Sequence, residues 1–110
     1  MKKYLKIKSD NDAQGCLQDI HWYSGIFGYF SCYALGAIIA SQLMAKFKFE
    51  HKDYASQIKN GNFKTISSWL KDRIHKYSSF YLLDELVKHA TGEKLNPDYF
   101  IKHLKNRYQM

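Results

Sequence analysis

The longest uncharged stretch of the chain lies between Asp19 and Lys46, with no Lys, Arg, Asp or Glu inside it. That length raises the question of a membrane span. His21, Ser24, Ser31, Ser41 and Gln42 interrupt it, however, and Gly25 and Gly28 break its first half. Its helical part, about Tyr29 to Phe47, is rich in small residues and also carries tyrosines. The expectation is a core helix surrounded on most sides. Ahead of it, the residues up to about Leu5 read as the end of a helix or a frayed strand. Ser9 to Gly15 reads as a polar loop, and Gln18 to Gly28 as irregular chain.

Downstream, apolar residues recur at helical spacing. Lys52 to Lys59 predicts a short helix stopped by Asn60-Gly61. Asn62 can cap the next, whose Phe63, Ile66, Trp69, Leu70, Ile74 and Tyr77 follow one face until Ser78-Ser79 breaks it. Leu83, Leu86, Val87 and Ala90 mark a further amphipathic helix. Lys88 and His89 suit its negative end, and Gly92 suits the left-handed residue beyond. The last helix has the clearest start: Asn96 as cap, Pro97 at the first helical position, Asp98 at the positive dipole end, and Leu95 placed to pack on Phe100. Phe100, Ile101, Leu104 and Tyr108 then line one face. No stretch alternates with period two long enough for a sheet, so the fold class is all-α, a small multi-helix assembly.

Size and charge narrow the picture. At 110 residues the chain is one domain at most. Hydrophobic content of 45% and aromatic content of 16% argue against disorder. The net charge is +7, but only Arg73 and Arg107 are arginines and the lysines are spread along the chain. Base readout and phosphate clamping by nucleic-acid proteins favour arginine, so a solvated basic surface is the reading, with neither nucleic acid nor membrane as partner. Cys16 and Cys32 have no metal-ligand spacing, and Lys6, Lys8 and Asp10 interrupt any signal-peptide core. A cytoplasmic protein with reduced thiols is expected.

The densest chemistry lies in Gly15-Cys16-Leu17-Gln18-Asp19-Ile20-His21-Trp22, followed by Gly25-Ile26-Phe27-Gly28-Tyr29-Phe30. An amide, a carboxylate, an imidazole, an indole and a phenol share one glycine-punctuated segment. Gly15, Gln18, Asp19, His21 and Trp22 reproduce the pattern G-x-x-Q-D-x-H-W. Gly25, Phe27, Gly28, Tyr29, Phe30, Tyr33, Leu35 and Gly36 nearly complete the one that follows it. With Trp69-Leu70, Ile74-His75 and Ala90 to Phe100, these residues resemble the thermostable carboxypeptidase, or carboxypeptidase Taq, family of HExxH zinc metallocarboxypeptidases, across essentially the whole chain. Three residues depart from the family pattern: Ser31 stands where a proline is usual, Tyr23 where a small residue is common, and Lys6 where a glycine follows Tyr-Leu. Ser31 frees the backbone at the helix start and is expected to loosen Tyr29.

The resemblance implies that residues 1–110 are a single C-terminal fragment of a larger helical metallopeptidase fold. No HExxH occurs; the five histidines are His21, His51, His75, His89 and His103. Zinc belongs to the full-length family, and this chain is expected to hold no metal or other cofactor of its own. A truncated or split gene product, or an expressed fragment, fits that pattern. By resemblance, His21 and Tyr29 are the catalytic candidates, donating a neutral imidazole N–H and a phenol O–H to a developing oxyanion. Asp19 would orient His21, Gln18 would hold substrate backbone or the loop itself, and Tyr33 would line the groove.

Plainer readings stand beside these. Trp22, Phe27 and Phe30 suit core packing, and Tyr33 either core or groove. Glu85 and His89 are four apart but make half a metal site at most, since zinc takes three or four ligands. Arg73 and Arg107 read as ordinary solvated arginines. The expected function is a segment of a carboxypeptidase that releases C-terminal residues from peptides, inactive alone. Peptide substrate would be a partner only after complementation by an upstream fragment. The alternative is a non-enzymatic remnant or a self-associating interaction module, with a homodimer as its simplest form. A basic nucleic-acid or membrane-surface protein is the third and weakest reading.

Overall fold

The computed structural model describes residues 2–77 and 79–108. Among them lie seven α-helices: α1 Lys2–Leu5, α2 Ile20–Tyr23, α3 Phe30–Glu50, α4 Tyr54–Lys59, α5 Lys64–Arg73, α6 Leu83–Thr91 and α7 Asp98–Tyr108. Two 3-10 turns, Cys16–Gln18 and His75–Tyr77, complete the regular structure, and no strand occurs among the described residues. The fold is all-α. By packing, the chain divides into Met1–Tyr33 and Ala34–Met110, and the division falls within α3.

In the first unit the chain expected to be irregular holds the turn Cys16–Gln18 and the single-turn α2. Asp19 caps α2, its carboxylate accepting the His21 backbone N–H at 2.9 Å. No residue described in this unit is buried. Trp22, Phe27 and Phe30, expected in a core, are 47%, 71% and 50% exposed, which corrects that reading. Trp22 and Phe27 pack on each other, ring centroids 5.3 Å apart. Thirty-odd residues in one-turn helices cannot enclose large aromatic side chains.

The second unit has the core. Phe47, Trp69, Val87 and Ala90 are buried, each large side chain contributing on the order of 2 kcal/mol of burial. Phe47 meets Trp69 edge to face at 5.6 Å, and an apolar cavity of about 170 Å³ remains beside them. Glu50 accepts from the Trp69 indole at 2.7 Å and from Arg73 at 3.1 Å, and pairs with Lys46 at 3.3 Å. Burial is the largest influence on the Glu50 carboxyl and opposes its ionisation. The bonds from Trp69 and Lys46 and the charges of Arg73 and Lys46 together outweigh it and hold the group below its ordinary value.

Arg73 corrects the solvated reading. It donates to Glu50 and, at 3.0 Å, to the Ala90 carbonyl, with its guanidinium 5.3 Å from the Trp69 ring, so it ties α3, α5 and α6 together. The helix expected to reach Tyr77 ends there: α5 stops at Arg73, Ile74 leaves helical geometry, and the chain tightens into His75–Tyr77. Of the Ser78-Ser79 breaker, Ser78 lies outside the described residues.

The caps follow side-chain chemistry. Asn62 accepts the Lys64 N–H at 3.2 Å and Asn96 the Asp98 N–H at 2.9 Å. Leu82, preceding α6, has no side-chain acceptor, and Glu85 alone reaches back to the Leu82 N–H at 3.2 Å. Gly92, at φ +90, closes α6 with its N–H on Lys88 O. Glu85 is therefore committed to the backbone, while the His89 ring packs on Tyr77 and Tyr81 at 4.6 and 5.4 Å; the two form no metal pair.

The uncharged stretch does form one long helix, but it is not surrounded. Across its most apolar 18 residues only 11% are buried, and Gln42 and Phe47 are its buried side chains. By length and composition α3 is the one described helix that could cross a membrane. The contacts that α5, α6 and the turn before α7 make with α3 fall on its second half, from about Ala40 onward. Gln42 itself, 1% exposed, donates to Thr91 Oγ1 at 3.2 Å and Lys94 O at 3.0 Å and accepts from the Asn96 N–H at 2.9 Å. A buried amide so fully satisfied avoids a penalty of about 1–3 kcal/mol for each orphaned group.

Candidate functional site

The polar segment builds one contiguous site within the first unit. The residues from Asp12 to Gly15 turn back so that the Gly15 and Leu17 N–H groups both reach Asp12 O at 3.0 Å. Gln18 donates its amide to the Ala13 carbonyl. That bond is in keeping with the loop-holding role of the two expected for Gln18. This presents Asp19 at the entrance to α2. Gly25 and Gly28, at φ +66 and +76, then turn the chain from α2 into α3. An L side chain at either position would be strained.

That turn lays Tyr29, Phe30 and Tyr33 around His21. The imidazole Nδ1 lies 2.6 Å from Asp19 Oδ1 and Nε2 lies 3.1 Å from the Tyr33 hydroxyl. The Tyr29 ring stacks on the imidazole at 5.6 Å and 26°, Phe30 lies at 5.0 Å, and Tyr33 meets it edge-on at 5.7 Å. Tyr29 and Tyr33 also meet edge to face at 5.3 Å. His21 and Asp19 keep 18% and 24% of their side-chain surface. The ring is thus held at both nitrogens and packed against three aromatic rings while remaining reachable from solvent.

The Asp19 carboxyl sits below its ordinary value. The His21 backbone N–H is the largest influence; partial desolvation works against it, and the imidazole adds a hydrogen bond and a favourable charge. An ionised Asp19 can only accept, so Nδ1 carries the hydrogen and donates it to Oδ1. A neutral His21 has then spent its single N–H, and its Nε2 accepts from the Tyr33 hydroxyl. The neutral N–H donor expected from sequence is accordingly not free. With the ring neutral, the Tyr33 proton is engaged on Nε2 and the Tyr29 hydroxyl is the donor left for a substrate; a doubly protonated ring would donate Nε2–H to the Tyr33 oxygen and free the Tyr33 O–H.

A wide concavity of about 540 Å³ opens beside this cluster, lined by Cys16, Gln18, Asp19, His21, Trp22 and Phe30 among others. Sequence reasoning placed His21, Asp19, Gln18, Tyr29 and Tyr33 in one site, and all five lie in this unit. It missed Phe30 as a wall of the imidazole and Cys16 as a lining thiol. The signal for Phe30 was its place between two tyrosines one helical turn apart. Nothing distinguished Cys16. Ser31 bonds its hydroxyl to Gly28 O at 2.9 Å, closing the turn that leads into Tyr29. Among the described residues no group of three or more His, Cys, Asp and Glu side chains gathers to hold a metal ion.

Comparison with known proteins places this arrangement in context. Residues 1–108 match the model of the carboxypeptidase Taq (M32) metallopeptidase family. The chain is 35% identical over 108 residues to thermostable carboxypeptidase 1 of Pyrococcus furiosus and 40% identical over 105 residues to carboxypeptidase 1 of Bacillus subtilis. These matches cover 98% and 96% of this chain, but only 22% and 21% of the relatives. Among solved structures, the BsuCP crystal structure superposes with a TM-score of 0.90 at 39% identity, covering 98% of this chain and 22% of that one. The Trypanosoma cruzi metallocarboxypeptidase 1 superposes at 0.89 and 41%, covering all of this chain and 23% of that one. The chain spans about a fifth of the length of the proteins it resembles.

Proposed function

The chain belongs to the carboxypeptidase Taq (M32) metallopeptidase family, and on that premise we propose that it is the C-terminal part of a zinc-dependent metallocarboxypeptidase. It forms one wall of the groove in which C-terminal residues are released from peptides. The observation that carries this reading is the Asp19–His21–Tyr33 relay with Tyr29 stacked on the imidazole. Asp19 fixes the ring. His21 holds the Tyr33 hydroxyl in place and packs on Tyr29, whose hydroxyl faces the polarised carbonyl of a bound peptide. Donors of this kind each contribute about 10²–10³ in rate when aimed at a developing oxyanion.

The residues present do not fit zinc. Among the described residues the one imidazole–carboxylate pair is spent on itself at 2.6 Å, and its other neighbours are phenols, a phenyl ring and an amide. The metal and the general base therefore come from the remainder of the family fold, and this chain alone is inactive. The experiment is complementation. The chain is mixed with a polypeptide carrying the remaining four-fifths of the fold, and release of C-terminal amino acids is followed. Neither part alone should cleave; the mixture should, and His21→Ala should lower kcat by about 10² or more without dissociating the pair. Cleavage by the chain alone would overturn the reading.

A second reading has its own support. The apolar surface of α3 is mostly uncovered, and Tyr23, Phe27, Phe30 and Tyr33 are exposed. A remnant that self-associates through those surfaces would form a complex that stays inactive with any complement.

A further inference from the structure

In the second unit α3 and α7 set two matching stripes across a cleft of about 310 Å³. Ser41, Met44, Ala45 and Lys48 come from one helix, and Tyr99, Lys102, His103 and Asn106 from the other. Both stripes follow the i, i+3, i+4, i+7 pattern of a single helix face. Met44 and Ala45 are half-buried and make the floor, while Lys48, Lys102, His103 and Asn106 are exposed at the rim. No carboxylate lines the cleft. Among the described residues no carboxylate stands within ion-pair distance of Lys48 or Lys102; the Lys48 ammonium instead lies 5.1 Å from the Tyr54 ring. Two hydroxyls are already committed, Ser41 to Ala37 O at 2.8 Å and Tyr99 to Glu93. The donors left for a ligand are two ammoniums, an imidazole and an amide.

We propose that this cleft binds the phosphate group of a small organic phosphate. The charge is positive and uncompensated at the rim, and the chain as a whole carries +7. The donors are point charges without an arginine fork. Lysine binds phosphate in this way, as a point charge, and separate ammoniums can meet a tetrahedral dianion from different directions. The apolar floor suits the carbon body attached to the phosphate, and the volume is at the small end for ligand sites. Glu93, which does not line the cleft, is engaged by the Tyr99 hydroxyl. This inference is independent of the proposed peptidase role.

The test is titration of the full chain with inorganic phosphate, glycerol phosphate and citrate at constant ionic strength, read by amide and side-chain NMR shifts. Saturable shifts centred on Lys48, Lys102, His103 and Asn106 are expected, with glycerol phosphate binding more tightly than inorganic phosphate. Lys48→Ala with Lys102→Ala should weaken binding at least tenfold. Lys71→Ala, a surface control on α5, should leave it unchanged. The three lysine substitutions, all at exposed positions, are checked for folding by circular dichroism, and the localisation of shifts in the unaltered chain stands without them. Shifts spread evenly over all lysines, a double variant that binds normally, or citrate binding as tightly as glycerol phosphate would each overturn the proposal. So would a DNA oligonucleotide that occupies the same residues when neither phosphate compound does.

Discussion

Lys6 holds a backbone φ of 59, the left-handed region, and is the one described residue other than glycine to do so. A side chain there is disfavoured by roughly 1–2 kcal/mol, and the family pattern has glycine at this position. Lys6→Gly relieves that cost and returns up to about 1 kcal/mol of it as extra freedom of the unfolded chain. The expected net effect is a gain of up to about 1 kcal/mol, measured by urea denaturation of both proteins. Ser31 and Tyr23, the other departures, sit differently: Ser31 bonds to Gly28 O, and Tyr23 is exposed. At this scale the site was legible because its residues form an unbroken run of motif. What stayed hidden was which tyrosine hydroxyl bonds the ring. Tyr29 and Tyr33 are one turn apart on the same helix face, and sequence spacing treats them alike, whereas only Tyr33 reaches Nε2.

Among the elements, the helix ends were the most legible, since Asn62, Asn96 and Gly92 act locally. The hub around Glu50 was not, because its partners Trp69 and Arg73 lie 19 and 23 residues away in sequence. No local pattern separates an arginine that clamps from one that is solvated. The hub makes a pH prediction. Glu50 is held below its ordinary value in the folded chain, so the folded state binds its proton less readily than the unfolded state does. The stability this contributes is complete above the unfolded value, ordinarily about 4.3. It is lost as pH falls from there through the folded value. Thermal unfolding followed between neutral pH and pH 3 should show this acid loss in the unaltered chain. Glu50→Gln should be less stable at neutral pH and show a shallower fall on acidification. Parallel curves would refute the assignment.

For the whole molecule, burial divides the chain unevenly. The described residues of Met1–Tyr33 include no buried side chain, while Ala34–Met110 holds Gln42, Phe47, Trp69, Val87, Ala90 and Thr91. Local stability follows buried contacts. Amide hydrogen exchange should therefore be fast through most of residues 2–33 and slow at Gln42–Phe47 and Val87–Thr91; equal protection in both units would contradict the description. The sequence pattern gave the all-α class and the order of α3 to α7, yet it left α2 as irregular chain and expected α3 to be enclosed. Apolar composition reports what a helix can bury, not whether a chain of this length brings enough neighbours to bury it.

Gln42 also decides where α3 may sit. Its amide meets a hydroxyl, a carbonyl and a backbone N–H that all lie between Thr91 and Asn96. Sliding the helix by one turn, about 5.4 Å, would leave its apolar contacts nearly as good, because leucines, alanines and isoleucines recur along it. The same slip would strand the glutamine among carbon atoms and break three hydrogen bonds at once. One polar residue thus sets the register of an otherwise slippery helix and excludes the neighbouring alignments that hydrophobicity alone would permit.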